Sequence, residues 1–292
     1  MVSTRIISPQ VRRVIDVPLR VGESPTWDDR TGDLWFVDIL APAAFRLKAD
    51  GSLRRYDMPA AIGCLALCES DDIAVCLQTG VHMMNRETGA LTLFCNPDGG
   101  RANSRLNDGK VGPDGCLWVG TRDEEVPQTG NGRLYRVTPN GRFEIKIDGL
   151  KTSNGLAWSA DGKTMYHSDS SQLFAQTFDF NATTGEISGQ KLLRPFTNEV
   201  GRPDGAAMDQ DGFYWIAGVL SGRVNRVSPT GDIVEAYQLP CKSATMPCFA
   251  GPDLKTLYVT TLFNDDPGKD EPGTIFAFEV DVAGVPVNRF AV

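Results

Sequence analysis

The amino-acid sequence predicts an all-β protein, a single six-bladed β-propeller over residues 1–292 with four antiparallel strands in each blade. Its 30 Gly and 18 Pro residues are spread evenly, and no long stretch has helical periodicity. Repeats of about 40 to 50 residues are typical of arrays of supersecondary units. A five-residue pattern recurs six times here, at Glu23–Trp27, Gly63–Leu67, Asn107–Val111, Asn154–Trp158, Asp204–Met208 and Pro247–Gly251.

Turn residues follow each copy of the pattern and precede a second strand-like run. Examples are Pro113–Gly115 and Ala160–Gly162, which place Asp-Gly between two apolar segments. Asp-Gly in this setting is a strong hairpin signal. A second hairpin then follows, as in Gly132–Val137 with Phe143–Ile145. Each repeat therefore has the four strands of a propeller blade.

The two ends of the chain are expected to complete the ring. Residues 11–19 read as a short strand with no hairpin partner before the first repeat, and Arg13 to Pro18 is expected to pair with the last blade. In the last repeat, residues 273–278 are expected to form a hairpin with residues 285–289. Closure of this kind leaves only short exposed strand edges.

One insertion stands out between two predicted strands of the third repeat. Residues 123–131 are polar and rich in turn formers, directly after an inner hairpin. Extra residues in repeats often lie on the binding face. The segment is therefore a candidate lid, and an ordinary surface loop is the alternative.

Charge and hydropathy exclude several classes of partner. The formal net charge is −8, from 29 Lys and Arg against 37 Asp and Glu, and no basic cluster is present. A nucleic-acid-binding surface is therefore not expected. The apolar runs have strand length, which argues against a membrane span, and residues 1–10 lack the apolar segment of a signal peptide. We expect a cytoplasmic protein that is a monomer or a weak homo-oligomer and binds a small molecule.

The cysteines do not predict a disulfide framework or a zinc cage. Seven are present, an odd number, with only two histidines. Without a secretory signal they are expected to be reduced and mostly buried as small apolar residues. A Cys/His zinc site is not expected from this spacing.

Polar side chains are expected to converge at one mouth of the central channel, because the first strand of each blade lines it. The first residues of the six copies are Glu23, Gly63, Asn107, Asn154, Asp204 and Pro247. Two carboxylates and two amides would be costly to bury unpaired, and a divalent cation would satisfy them. Oxygen ligands suit Ca²⁺, Mg²⁺ or Mn²⁺, and three protein ligands leave positions open for substrate. The alternative is that each Asn or Asp only hydrogen-bonds a turn.

Longer motifs around these residues resemble those of a known family. The motifs are Gly22–Trp27, Arg105–Val111 followed by Pro113–Gly115 and Gly120-Thr121, Ser153–Ser159, and Arg202–Gly205. They are similar to those of the senescence marker protein/gluconolactonase (regucalcin-like) family of six-bladed propellers, and the similarity runs from about residue 20 to about residue 280. Residues 247–261 resemble bacterial aldonolactonases in particular.

The resemblance implies a metal-dependent sugar lactonase. Its metal ligands would be Glu23, Asn154 and Asp204, around one divalent ion of Ca, Zn, Mn, Mg or Fe. The reaction would be hydrolysis of an aldono-1,4- or 1,5-lactone, of pentose or hexose size, to the aldonic acid. The metal would polarise the lactone carbonyl or its bound water, and Asp204 would be the general base.

The resemblance also implies substrate-binding residues. Arg105 and Asn107 would hold the sugar hydroxyls or the lactone, and Glu125 in the insertion would assist, with Glu124 as its rival. Arg122 departs from the family pattern, where Met often follows the Gly-Thr pair, and it adds a cation near the mouth.

Two other functions share these features. An organophosphate or other ester hydrolase would use the same propeller and cation, and a non-enzymatic calcium-binding or scaffold propeller would need neither open ligand positions nor a lid. The polar mouth favours a polyhydroxylated substrate. His167 and Asp169, at the end of a predicted hairpin, would either reach the mouth or cap a turn.

Overall fold

The computed structural model describes residues 3–264 and 273–292, and in this part of the chain it contains 25 β-strands and no helix. Consistently, these residues include no helix capable of crossing a membrane. In chain order the strands are β1 (Arg5–Ile7), β2 (Arg12–Arg13), β3 (Gly22–Asp28), β4 (Asp33–Asp38), β5 (Ala43–Leu47), β6 (Leu53–Asp57), β7 (Ile62–Leu67), β8 (Ile73–Leu77), β9 (Gly80–Met84), β10 (Leu91–Cys95), β11 (Ser104–Val111), β12 (Leu117–Asp123), β13 (Gly132–Val137), β14 (Phe143–Leu150), β15 (Ser153–Trp158), β16 (Thr164–Asp169), β17 (Phe174–Asn181), β18 (Glu186–Pro195), β19 (Arg202–Met208), β20 (Tyr214–Val219), β21 (Arg223–Val227), β22 (Ile233–Gln238), β23 (Ala244–Ala250), β24 (Thr256–Thr261) and β25 (Ile275–Glu279).

The strands form six sheets, which are the blades of a propeller. The first four blades are β3–β6, β7–β10, β11–β14 and β15–β18; the fifth contains β19–β22 with β1, and the sixth contains β23–β25 with β2. The innermost strands β3, β7, β11, β15, β19 and β23 contact one another in that order, and β23 contacts β3. The ring is therefore closed, and the predicted six-bladed propeller with four antiparallel strands per blade is confirmed.

The N-terminal segment closes the sixth blade, as predicted. Strand β2 pairs antiparallel with β25, placing Arg12 opposite Ala277, and the Val14 N–H donates to the Ile275 carbonyl at 2.8 Å. The strand itself is shorter than the predicted residues 13–18. Strand β1 adds a parallel fifth strand to the outer edge of the fifth blade, beside β22, which was not predicted. The N-terminus thus links the last two blades.

The C-terminal segment does not pair as predicted. Residues 285–289 form no strand, because β2 already occupies the fourth position of the sixth blade. The segment crosses one end of the channel instead. The Val285 N–H donates to the Met208 carbonyl at 2.8 Å, and Asn288 Nδ2 donates to the Val111 carbonyl at 3.2 Å. Both carbonyls lie at the ends of inner strands, so the C-terminus covers the mouth at which those strands finish.

An Asp-Arg-Trp arrangement recurs in the first, third and fifth blades. In each, a fully buried Trp on the second strand lies directly opposite an Arg on the third. The pairs are Trp35–Arg46, Trp118–Arg136 and Trp215–Arg226. Each Arg Nε also contacts an Asp Oδ2: Asp33 at 2.6 Å, Asp114 at 2.7 Å and Asp209 at 2.8 Å. Each pair joins the third strand of a blade to the start of its second strand or to the turn before it.

The cysteines behave as the sequence predicts. No disulfide is formed among the described residues, and five of the seven thiols are buried. Burial raises the pKa of Cys68 to about 12, so this thiol stays protonated at neutral pH. These residues contribute to the core as small apolar groups.

Candidate active site

Each of the six inner strands has a β-bulge within or beside the recurring five-residue pattern. The register shifts lie between Glu23 and Thr26, Ile62 and Cys64, Leu106 and Gly109, Asn154 and Ala157, Pro203 and Ala206, and Ala244 and Met246. A bulge leaves residues outside the ladder and redirects their side chains, and bulges are common beside active sites. The recurring five-residue pattern therefore marks the position of a β-bulge in each inner strand.

The bulges correct the expectation that the polar residues occupy equivalent positions. Glu23 and Asn154 are the last paired residues before their bulges. Asn107 and Asp204 lie within theirs and have no ladder partner. Asn107 and Asp204 therefore lie one residue further along their strands, relative to the bulge, than Glu23 and Asn154. Because bulged residues are not bound by the alternation of a strand, all four still face one cavity.

A cavity of about 320 Å³ lies at the mouth where the inner strands begin. Its lining comes from all blades but the second, and consists of Val21, Glu23, Ile39, Leu40, Arg105, Asn107, Arg122, Glu124, Thr152, Asn154, Ser170, Arg202, Asp204, Val219 and Leu262. All three residues expected to bind a metal are here, as are Arg105 and Asn107. Neither Gly63 nor Pro247 lines the cavity.

Gly63 explains why the second blade contributes nothing polar. A Cβ atom at this position would lie 2.4 Å from the Leu106 carbonyl oxygen and 2.5 Å from that of Asn107. Only glycine allows the third blade to approach this closely. The missing side chain therefore helps to place Asn107.

The side chain of Asn154 is oriented by Ser170. Asn154 Nδ2 donates to Ser170 Oγ at 2.7 Å, and this hydroxyl donates to the Pro203 carbonyl at 2.5 Å. Asn154 Oδ1 receives no hydrogen bond from the described residues and is left as a free acceptor. Asp204, next to Pro203, is half-buried and also receives no side-chain hydrogen bond from them. Both groups are therefore available to a ligand.

Three carboxylates near the axis, those of Glu23, Asp108 and Asp204, interact electrostatically. Burial, followed by the charges of Asp204 and Asp108, raises the pKa of Glu23 well above its usual value. Burial and Asp108 likewise raise the pKa of Asp204, while nearby arginines oppose the shift. Asp108 is itself 4% exposed; its Oδ2 accepts from the Leu156 N–H at 3.3 Å, and its Oδ1 has no hydrogen-bond partner among the described residues. A cation would stabilise the ionised forms of this group.

The donor set fits a hard divalent cation. Glu23, Asn154 and Asp204 offer only oxygen, which suits Ca²⁺, Mg²⁺ or Mn²⁺ with water completing the shell. Within residues 3–264 and 273–292, no three His, Cys, Asp or Glu side chains are grouped closely enough to hold a metal. The candidate set differs from such a cluster because its third ligand is an amide.

Arg105 and Asn107 form a connected polar wall on one side of the cavity. Arg105 Nε donates to Glu124 Oε1 at 3.0 Å, and its Nη1 donates to Asn107 Oδ1 at 2.8 Å and to the Leu106 carbonyl at 3.2 Å. Asn107 Nδ2 donates to the Ser153 carbonyl at 3.0 Å. No residue in the described part of the chain accepts a hydrogen bond from Arg105 Nη2, which is therefore available to a ligand.

The insertion at residues 123–131 brings Glu124 rather than Glu125 to the cavity. Asp123 accepts four backbone N–H groups of the loop at 2.7–3.2 Å. Burial raises the pKa of Asp123, but these hydrogen bonds outweigh it and lower the pKa to about 2. Glu125 lies beyond this turn, 3.5 Å from Asn131 Nδ2, and is not among the lining residues. Glu124, and not Glu125, is therefore the glutamate of the insertion that lines the cavity.

His167 and Asp169 do not reach the mouth. His167 is fully buried, with Nε2 2.9 Å from Ser153 Oγ and Nδ1 3.1 Å from Gln176 Nε2. Burial lowers its pKa to about 4 despite the opposing charge of Asp169. Asp169 caps a turn and accepts, among others, the Lys151 N–H at 2.7 Å. The turn-capping alternative is correct for Asp169.

Thr152, Ser170 and Arg202 line the cavity but were not singled out from the sequence. Arg202 begins the Arg-Pro-Asp-Gly motif, and its position two residues before Asp204 was the available signal. Thr152 and Ser170 lie just outside β15 and β16, where no sequence signal separates a lining residue from a turn residue.

A second cavity, of about 230 Å³, lies at the opposite mouth beneath the C-terminal segment. Lys110 lines it and donates from Nζ to the Ala206 carbonyl at 2.5 Å. Asp161 is the sole carboxylate among the described residues that line it. This mouth gathers no set of oxygen donors, so the first cavity is the candidate active site.

The chain resembles a group of known proteins along its whole length. Residues 21–263 match the SMP-30/gluconolactonase/LRE-like region. A 6-deoxy-6-sulfogluconolactonase of Pseudomonas putida is 37% identical, covering 95% of this chain and 97% of that protein, and a regucalcin of Xenopus laevis is 31% identical, covering 97% and 99%. The crystal structure of a calcium-binding protein, regucalcin, from Agrobacterium tumefaciens has a TM-score of 0.92 at 26% identity, covering 99% of this chain and 100% of that one. The similarity therefore includes all six blades.

Proposed function

The chain belongs to the SMP-30/gluconolactonase/LRE-like family, and from this premise we propose that it is a metal-dependent sugar lactonase. The reaction is hydrolysis of an aldono-1,4- or 1,5-lactone to the aldonic acid. The most direct support is the convergence of Glu23, Asn154 and Asp204, from three blades, on one cavity that also contains Arg105 and Asn107.

Glu23, Asn154 and Asp204 would hold the cation. When bound, it would supply Lewis acidity, which polarises an ester carbonyl and stabilises negative charge on oxygen. The arrangement leaves ligand positions open, because three protein ligands do not complete the shell of a hard cation.

Asp204 is the proposed general base. Its carboxylate faces the cavity, and no described residue donates a hydrogen bond to its side chain, so it can accept a proton from an attacking water. Arg105 Nη2 orients the substrate as a fixed planar donor, because the other donors of that guanidinium are held by Glu124 and Asn107. These residues position the lactone before reaction.

The lining favours a sugar over an apolar ester. Most of the lining side chains are charged or can form hydrogen bonds, as with Thr152 and Ser170. A site with many polar groups leaves them unpaired when an apolar substrate binds, which is unfavourable. A polyhydroxylated lactone satisfies them.

The proposal is tested by lactone hydrolysis with controlled metal content. Protein treated with a chelator is assayed on xylono-, arabinono-, galactono-, glucono- and rhamnonolactone, with Ca²⁺, Mg²⁺, Mn²⁺, Zn²⁺ or Fe²⁺ added back singly. We expect activity only after metal addition and a preference among the lactones. No hydrolysis with any metal, from folded protein, would favour an ester hydrolase or a calcium-binding propeller instead.

Glu124→Gln is expected to lower kcat/KM about tenfold or more, because it removes the charge that holds Arg105 Nε at 3.0 Å. Glu125→Gln, at the neighbouring position outside the cavity, is the matched control and should change kcat/KM less than about threefold. Steady-state kinetics on one lactone measure both. A larger loss of kcat/KM in the Glu125 variant than in the Glu124 variant would instead indicate that Glu125 binds the substrate.

Gly63→Ala is expected to displace Asn107, since the added methyl would lie 2.5 Å from its carbonyl oxygen. We expect kcat/KM to fall about tenfold, and the free energy of unfolding by about 1–3 kcal/mol from overpacking. Gly51→Ala is the control: no atom lies within 4 Å there, but its φ of 85° makes alanine strained. This control should lose stability and keep its activity, as measured by urea unfolding and lactone kinetics. Full activity of the Gly63 variant would contradict the expectation.

A further inference from the structure

Two arginines at the mouth of the cavity form no ion pair with the residues that the structure describes. Arg122 is exposed and makes no hydrogen bond or ion pair with the described residues, although it lines the cavity. Arg202 is half-buried, and its Nε donates weakly to the Ser170 carbonyl at 3.4 Å. No carboxylate of the described residues forms an ion pair with either. Both guanidinium groups are therefore available to a ligand.

The position of Arg122 carries an electrostatic cost in the absence of a ligand. It lies directly opposite Arg105 on the neighbouring strand, and like charges in such pairs are destabilising. Glu124 pairs with Arg105 and not with Arg122. The arrangement is unusual in a chain whose formal net charge is −8, which has acidic groups in excess. A negative group bound to Arg122 would offset its repulsion of Arg105.

The two arginines lie on either side of the fourth blade. The Arg122 backbone forms an isolated β-bridge with Thr152, which directly precedes β15. Arg202 Nε donates to the carbonyl of Ser170, which directly follows β16. Both side chains line the same cavity as Asp204. Both arginines lie closer to solvent than Glu23 and Asn154, and so on the outer side of the proposed cation ligands. Of the carboxylates that line the cavity, Glu124 pairs with Arg105, and Glu23 and Asp204 are proposed ligands of the cation.

We propose that the substrate is an anionic sugar lactone, whose charged oxyanion group lies remote from the ring carbonyl and is bound by Arg122 and Arg202. The assignment rests on the proposed lactonase function and specifies its substrate class. Planar guanidinium groups bind sulfonate, phosphate and carboxylate oxygens through paired charge-assisted hydrogen bonds.

The test compares matched lactones that differ at one carbon. Metal-loaded protein is assayed on gluconolactone and on its 6-phosphate, 6-sulfonate and 6-carboxylate counterparts, and the ratio of kcat/KM for each anionic lactone to that for the neutral one is measured. We expect at least one ratio above about 30. Arg122→Gln and Arg202→Gln should each lower that ratio about tenfold, as for the loss of a charged hydrogen bond. Arg142→Gln, in an exposed turn, is the matched control and should leave the ratio unchanged.

Binding of the product gives a second measurement that does not depend on turnover. The Kd of the preferred anionic aldonate and that of gluconate are measured by calorimetry on the wild-type protein and on both variants. The anionic product should bind more tightly, and each substitution should reduce this advantage about tenfold. The three anionic probes distinguish a sulfonate from a phosphate or a carboxylate site.

The outcomes distinguish failure of the anionic-substrate assignment from failure of the proposed lactonase function. Hydrolysis of neutral gluconolactone with ratios near one, unchanged by either substitution, would overturn the anionic-substrate assignment and leave the lactonase function standing. Hydrolysis of none of the four lactones by folded, metal-loaded protein would overturn the lactonase function, and the substrate assignment with it.

Discussion

Asp204→Asn is expected to abolish lactone hydrolysis, with a fall in kcat of about 10³-fold or more. The substitution keeps the size of the side chain but removes both a charged metal ligand and the proposed general base. General base catalysis alone contributes about 10²- to 10⁴-fold. Weaker cation binding adds to this loss. Steady-state kinetics at saturating metal, together with metal titration, measure the two contributions.

The same substitution is expected to stabilise the metal-free protein at neutral pH. Burial and the charge of Asp108 raise the pKa of Asp204 in the folded state, so the folded protein binds more protons than the unfolded chain. Stability therefore falls as pH rises from the unfolded pKa of about 3.9 through the raised folded pKa. Asparagine has no such penalty, and the gain is about 1–3 kcal/mol.

Urea unfolding in the presence of a chelator, at pH 5 and pH 8, measures this effect. The difference between Asp204→Asn and the wild-type protein should be larger at pH 8. Asp253→Asn, in an exposed turn, is the control and should change neither activity nor the pH dependence. An Asp204→Asn protein that binds metal and hydrolyses lactones normally would contradict the role assigned to this residue.

The blade architecture could be predicted because its signals are local. Alternating strands separated by turn residues such as Asp114-Gly115 recur at a regular period, and each hairpin depends mainly on its own sequence. Pairing between distant segments was only partly predictable. The N-terminal strand was correctly assigned to the sixth blade, whereas residues 285–289 were not, because two segments competed for one sheet edge.

The residues of the site were predictable to the extent that they lie in the repeated pattern. Glu23, Asn154 and Asp204 share a place in it, and the cavity contains all three. The one-residue shift between strands was not predictable, because a bulge is set by pairing with the next strand and not by the pattern itself. Glu124 could not be distinguished from Glu125 for a related reason. Which of the two faces inward depends on the turn that Asp123 organises.

The Asp-Arg-Trp arrangement also escaped prediction, because its members lie on different strands. In the fifth blade, Asp209 is fully buried and accepts three hydrogen bonds, each at 2.8 Å, from the Phe213 N–H, Trp215 Nε1 and Arg226 Nε. Arg226 also contacts the exposed Asp211 at 3.3 Å. A single carboxylate therefore satisfies a turn, an indole and a guanidinium.

Asp209→Ala is expected to lower the free energy of unfolding by about 3–5 kcal/mol, because it leaves Arg226 Nε, Trp215 Nε1 and the Phe213 N–H without their acceptor in the core. Asp211→Ala removes a carboxylate from the same arginine, but Asp211 is 63% exposed, so the loss should be at most about 1 kcal/mol. Urea unfolding of both variants measures the difference. Equal effects would mean that Arg226 is held by its charge pairs in general and not by the buried one. Since Asp209 lies outside the lining of the cavity, lactone hydrolysis by the folded Asp209 variant should be retained, which separates the stability of the blade from the chemistry of the site.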